Sequence, residues 1–242
     1  MLAETLRGLA GLRLRDEDGR EQILELEPPA TEAELEALEA ALPCPIPDEI
    51  RAALRVSKRL ANGPLESFSL IDLAGFGLDE AFPCAYSIAH DGYGNYWILD
   101  LIPDAASWGP VFYACHDPPV IAYQSATVEQ FLHETIAMWR DGARSQVDVV
   151  HEDVVHRIWH DNAGLTPVAE LGDSPDRLLR GFAATLGEAS VVADLRAAQL
   201  GDGFSWGRFG PRTVVQRAGT ERVWALTPPE RKPGILRRLF SR

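Results

Sequence analysis

Residues 90–101 read HDGYGNYWILDL, and the fold turns on what this stretch is. His90, Asp91, Asp100 and two glycines are the ingredients of a Gly-rich ligand loop or a metal site. The same residues also describe a tight turn entering a buried strand. Phosphate-cradling glycine loops lead into a helix whose first amides meet the anion. Here the glycines lead into NYWILDL, where Trp97, Leu99 and Leu101 alternate with Tyr96 and Ile98. Apolar residues on both faces mark an interior strand of a covered sheet. On that reading Gly92 and Gly94 supply a tight turn or a positive φ. Asp100 caps a loop at the strand end. His90 and Asp91 are exposed contact residues, and replacing both with alanine leaves folding nearly intact.

The flanking segments carry the same pattern. ESFSLIDL (66–73) and CAYSIAHD (84–91) alternate, and PVFYACHD (110–117) is apolar on both faces. Upstream, Thr31 and Glu34 form a capping box for a helix whose face is Leu35, Leu38 and Leu42. Pro47 starts a second helix bearing Ile50 and Leu54, which Asn62-Gly63-Pro64 stops. A hairpin with its turn at 16–19 precedes both. Downstream, Thr127 and Gln130 open a helix whose face is Phe131, Thr135 and Trp139, supported by Leu132 and Ile136. HEDVVHRIWHDN (151–162) is a short helical segment with Val155, Ile158 and Trp159 inward. Ser174 caps a further helix carrying Leu178, Leu179, Phe182 and Leu186, and RTVVQRAGTERVWALTPP (212–229) is a hairpin around Ala218-Gly219.

The charge is lopsided. The net formal charge is −13, yet RKPGILRRLFSR (231–242) holds five basic residues and no acidic one. An acidic surface repels nucleic acid and steers association with basic partners. Three cysteines, Cys44, Cys84 and Cys115, fit neither a zinc knuckle nor a redox pair and are read as reduced core thiols. No segment reaches the roughly 18 apolar residues of a membrane span, and the N-terminus is not a signal peptide, so the cytoplasm is the expected location.

Residues about 30 to 140 resemble the SUKH superfamily, the Smi/Knr cell-wall-assembly-regulator type. The resemblance lies in an ordered set of motifs: TEAELEALEAAL, IPDEIRAAL, Asn62-Gly63, DGYGNYWILDL, GPVFYACHD and ATVEQFLHETI. Pro64 departs from the double glycine the family often carries there. The resemblance implies an α+β fold, with helices packed on a mixed or antiparallel sheet, and a binding role without a catalytic site. Many bacterial relatives are immunity proteins that neutralise secreted toxins, often nucleases, and others are regulatory interaction modules.

The expected organisation is an N-terminal helix and hairpin (1–29), the SUKH-like domain (30–140), a smaller α/β C-terminal extension (150–230) and the basic tail (231–242). The expected function is protein binding, as an immunity protein presenting an acidic surface to a basic toxin, with a regulatory or scaffolding module as the alternative. The candidate contact residues are Asp79, Glu80, His90, Asp91, Tyr93, Asp104, His116 and Asp117. In the tail, Arg231, Lys232, Ile235, Leu236, Arg237, Arg238, Leu239 and Phe240 form a short amphipathic stripe suited to weak membrane-surface or partner contact. No cofactor and no nucleic acid is expected. No metal and no catalytic activity is expected; a metal-dependent enzyme using His151, Glu152, His156 and His160 is the further alternative, but their spacing is not H-E-x-x-H, and the reading preferred is a solvated helix face. No G-x-S-x-G elbow is present.

Overall fold

The computed structural model describes residues 1–16, 18–73, 75–103, 107–140 and 144–229. Helix α1 (Leu2–Leu9) leads to the hairpin β1 (Arg13–Arg15) and β2 (Glu21–Ile23), then β3 (Glu25–Leu26). Helices α2 (Glu32–Ala41) and α3 (Asp48–Leu54) follow, and then β4 (Arg59–Ala61), β5 (Ser67–Ser69), β6 (Ala85–His90), β7 (Tyr96–Ile102), β8 (Ser107–His116) and β9 (Pro119–Ser125). Next come α4 (Val128–Ala137), α5 (Gln146–Asp148), a π-helical turn (Val149–Val154) and α6 (Val155–Asp161). The remainder is β10 (Thr166–Pro167), α7 (Val168–Leu171), α8 (Arg177–Ala183), β11 (Val191–Asp194), β12 (Gly203–Phe204), β13 (Val214–Arg217) and β14 (Val223–Thr227).

Every described strand pair is antiparallel. Eight strands form one sheet in the order β12-β9-β8-β7-β6-β5-β4-β3, and four form a second in the order β10-β11-β14-β13. The fold is α+β, as the motif resemblance implies. Central strand β7 is buried through Trp97, Ile98, Leu99, Asp100 and Leu101. Trp97, Leu99 and Leu101 face a core built with the helices, while Ile98 turns the other way, toward Phe112, Phe204 and Trp224. The second face is covered by the four-stranded sheet through Ala193, Leu195, Trp224 and Leu226. On the far side of that sheet, Val192, Val223 and Ala225 meet α7 and α8 through Leu171, Leu178, Phe182 and Ala183. The layers therefore run helices, eight-stranded sheet, four-stranded sheet, helices. Each fully buried large apolar side chain contributes about 1.5–3 kcal/mol of transfer free energy.

Local signals hold where the chain is locally determined. Thr31 accepts from the Glu34 amide at 3.2 Å and Glu34 Oε2 accepts from the Thr31 amide at 2.8 Å, closing the capping box. Four expectations need correction. The second helix is not stopped by Asn62-Gly63-Pro64; it ends at Leu54 and the chain enters β4, whose three residues are too few to show alternation. Helix α4 ends at Ala137, so Trp139 lies in the following turn. Asp176, not Ser174, caps α8, because its Oδ1 reaches the Leu178 and Leu179 amides while Ser174 Oγ accepts from the Asp176 amide.

The fourth correction concerns Asp100. It does not cap a loop; it is fully buried in β7 and forms a two-bond pair with Arg217 of β13, at 2.7 and 2.9 Å. The Arg217 guanidinium also lies 5.0 Å from the Trp224 ring and donates to the Glu221 and Thr220 carbonyls. Arg222 Nε is 3.5 Å from Asp100 Oδ2. The strand register shifts beside Asp100, where Leu99 faces Val111 but Leu101 faces Trp108. Gly109 sits in that bulge, and any Cβ there would lie 1.8 Å from the Asp100 carbonyl oxygen. A glycine is what lets β8 pass so close to the ion-paired residue. The buried pair thus ties the two sheets together.

Candidate functional site

The turns β6–β7 and β8–β9 lie at the same end of the large sheet, since His90 faces Tyr96, Tyr96 faces Ala114, and His116 faces Pro119. Asp91 builds the first turn. Its Oδ1 accepts from the Tyr93 and Asn95 amides at 2.8 and 3.2 Å, and its Oδ2 accepts from Asn95 Nδ2 at 2.6 Å. Gly92 and Gly94 have φ of 80° and 92°, the left-handed region that glycine enters without steric cost. At Gly94 the space where a Cβ would stand is 3.4 Å from the His116 ring. The turn therefore presents Tyr93 outward, 83% exposed, while Asn95 is buried beneath it.

Asn95 links the two turns. Its Oδ1 accepts from the His116 amide at 3.1 Å and sits 3.0 Å from His116 Nδ1. Because Asn95 gives its Nδ2 hydrogen to a carboxylate, the Oδ1 atom is left to accept, and His116 Nδ1 must donate. In the neutral ring this leaves the Nε2 lone pair free. At His90 the assignment is the reverse, since Nδ1 accepts from the Gly92 amide at 3.2 Å. The π-helical turn adds a third imidazole: His151 Nε2 is 3.9 Å from Asp91 Oδ2, with its ring 5.6 Å from that of Tyr113. Three of the chain's six histidines thus gather at one end of the sheet.

Of the expected contact residues, His90, Asp91, Tyr93, His116 and Asp117 share this rim. Asp79 and Glu80 are exposed but precede Ala81 and Phe82, and so stand toward the start of β6, away from it. Asp104 and the tail residues 231–242, among them Arg231, Lys232, Ile235, Leu236, Arg237, Arg238, Leu239 and Phe240, lie outside the described residues. The expectation that Asp91 is a dispensable surface group is reversed by its three accepted hydrogen bonds; its side chain is 14% exposed.

The four metal candidates do not converge. His151 turns toward Tyr113 and Asp91, Glu152 pairs with Arg144, and His156 and His160 are exposed. The π turn over Val149–Val154 takes His151 and Glu152 out of the 3.6-residue repeat that His156 and His160 follow in α6. Among the described residues no group of three or more His, Cys, Asp or Glu is placed to hold a metal ion. Burial pushes the Cys44, Cys84 and Cys115 thiols upward in pKa, so none is activated as a thiolate. Burial likewise raises the Tyr113 hydroxyl, which has no hydrogen-bond partner among the described residues.

One feature of the rim is legible in the sequence and passes unnoticed in a motif search. Between Leu60 and Trp139 the chain has ten Asp or Glu and no Lys or Arg. That stretch builds β5 to β9 and α4. At the rim, Glu66 and Asp117 are exposed and form no ion pair among the described residues.

Residues 29–134 match the model of the SMI1 / KNR4 family (SUKH-1). That segment, less than half of the chain, is similar to a SUKH domain. The match spans the segment from just before α2 into α4, so the two turns of the rim lie within the matched segment and the four-stranded sheet lies beyond it. No curated protein and no solved structure matches the chain. SUKH domains are generally non-enzymatic and serve as immunity proteins and cell-wall regulators. No helix among the described residues is long and apolar enough to cross a membrane.

Proposed function

We propose that this chain is a non-enzymatic, cytoplasmic protein-binding protein, an immunity protein that neutralises a basic bacterial toxin through the rim of its SUKH domain. The observation that supports this reading is the cation-free stretch from Leu60 to Trp139, whose turns display Tyr93, His116, Asp117 and Glu66. A toxin that cleaves nucleic acid needs a basic cleft for phosphates. An acidic rim without its own arginines or lysines complements such a cleft, speeds encounter and suppresses wrong partners. Tyr93 supplies the rigid aromatic anchor that hot spots favour, and the exposed His116 ring beside it adds a polar contact.

The test is co-expression with a toxin encoded beside the gene. The full chain relieves toxicity and co-purifies with the toxin, and Tyr93→Ala combined with Asp117→Lys weakens the complex by about 100-fold or more, the loss of one hot spot and one charge. Absence of a neighbouring toxin, or failure of the wild-type chain to relieve toxicity, removes the immunity reading. Intact rescue by the double variant moves the contact away from this rim.

A further inference from the structure

The small sheet ends in an open edge. β13 pairs with β14 on one side only, and β14 pairs on its other side with β11. The Ala218 amide donates to the Val223 carbonyl, so in this antiparallel register Gln216 and Val214 bond to β14, while Val215 and Arg217 turn their amide groups away from it. The Arg217 carbonyl accepts from the Gly219 amide, but the N–H and C=O of Val215 have no partner among the described residues. Val214, at the start of the strand, is 53% exposed. Beside this edge runs a groove of about 700 Å³, floored by Leu178, Gly181 and Phe182 of α8 and by Gln216, Ala218 and Gly219.

The charge here is opposite to that of the rim. Helix α8 carries Arg177 and Arg180 and no acidic residue, and residues 210–229 carry Arg212, Arg217 and Arg222 against Glu221. Arg217 and Arg222 are at the buried Asp100. Arg177 lines the groove, and neither it nor Arg212 has a carboxylate partner among the described residues. Natural proteins blunt free edges with proline, bulges or short strands; the outer edges of the large sheet, β12 and β3, are two residues long. β13 has four residues with no proline and no bulge, and its one charged side chain, Arg217, turns inward to Asp100 rather than standing on the edge.

We propose that β13 takes up an extended segment of another protein, with alternating apolar residues and carboxylates, as an added strand. Main-chain bonds to Val215 provide the pairing, the groove receives apolar side chains, and Arg177 and Arg212 select for acidic residues. A second copy of this chain fits less well, because pairing the edge with itself gathers two sets of arginines along one seam. This site lies on the other sheet from the rim and does not depend on the immunity reading.

The probe is a fluorescent peptide, Asp-Val-Glu-Val-Asp-Val, titrated onto the full chain by anisotropy, with Lys-Val-Lys-Val-Lys-Val as its counterpart. The acidic peptide binds and the basic one does not. Val215→Pro removes the outward N–H without breaking a bond to β14 and abolishes binding. Arg177→Glu, on an exposed helix position, weakens binding by about tenfold or more, as reversal of a contact charge does. Equal binding of both peptides, or binding indifferent to both substitutions, overturns the proposal. So does a concentration-dependent dimer that Val215→Pro dissolves, which assigns the edge to a second copy. A tighter complex after removal of residues 230–242 also overturns it, by assigning the edge to the chain's own end.

Discussion

The two sheets deal with water and charge in opposite ways. The eight-stranded sheet is covered on both faces, trimmed to two-residue strands at both edges, and built in its centre from a stretch without a single lysine or arginine. The four-stranded sheet is covered on both faces too, but it leaves a four-residue edge open and is flanked by arginines. What joins them is a charge from each: Asp100 from the acidic sheet and Arg217 from the basic one. The asymmetry that makes each surface suited to a different partner also supplies the buried bond between them. A buried pair of this kind is weak evidence of net stability, because desolvation opposes the Coulomb gain, but it fixes which residues face each other.

The largest expected effect comes from breaking that bond on one side. Arg217→Met leaves Asp100 buried and uncompensated apart from Arg222, and should cost about 3–5 kcal/mol in denaturant unfolding. Adding Asp100→Leu should restore much of this, since a well-packed apolar pair often matches a buried ion pair. A single substitution with no effect would show that the two sheets do not depend on the pair.

Next in size is Asp91→Ala in the rim turn. It deprives two amides and the buried Asn95 side chain of their acceptor, at a cost of about 1–3 kcal/mol, with His116 losing its fixed ring orientation. Nuclear magnetic resonance of the imidazole nitrogens should show the neutral His116 ring change from a fixed Nδ1–H form to a tautomer mixture. Tyr93→Ala, one turn residue away, should change stability by less than about 0.5 kcal/mol, because the side chain touches water and little else. A similar loss in both variants would erase the distinction between the scaffold of the rim and its contact surface. Gly94→Ala should fall between them, at about 1 kcal/mol, from the positive φ and the adjacent His116 ring.

The smallest effect is on pH. The Glu34 carboxyl is lowered from its usual 4.5 to about 2, first by the hydrogen bond from Lys58 and then by the Thr31 amide and hydroxyl. A depressed carboxylate stabilises the fold fully above its unfolded value and loses that contribution as the pH falls from 4.5 toward about 2. The Glu34 side chain is 40% exposed, so solvent screens the change, which is small and local to the start of α2. The hydrogen-exchange protection of the Glu34 amide, taken relative to its intrinsic rate at each pH, should fall over that interval, and Lys58→Met should move the loss of protection to higher pH. Identical pH profiles in the two proteins would separate Glu34 from Lys58.

How much of this was legible in the chain varies by residue and for a common reason. Thr31 and Glu34 are three positions apart, and their bond is settled by the helix they begin. The alternation of Trp97, Leu99 and Leu101 with Tyr96 and Ile98 is likewise local, because successive side chains of a strand must point to opposite faces. Asp100 was misread because its partner is 117 residues away, and no periodicity extends that far. The place of His151 beside Asp91 and Tyr113 was not legible, because the π turn that carries it leaves no mark in the spacing.

By itself, then, the sequence determined the turns, the caps of α2 and α4, the succession of strands from β5 to β8 and the absence of basic residues between Leu60 and Trp139. All of these depend on neighbours a few residues apart or on simple composition. Tertiary structure alone decided what covers the second face of the large sheet, which five of the expected contact residues share one end of it, and that Asp100 is a buried bridge. Those outcomes depend on packing between segments from about twenty to more than a hundred residues apart, where burial and pairing are set by which surfaces meet rather than by the residues adjacent in the chain.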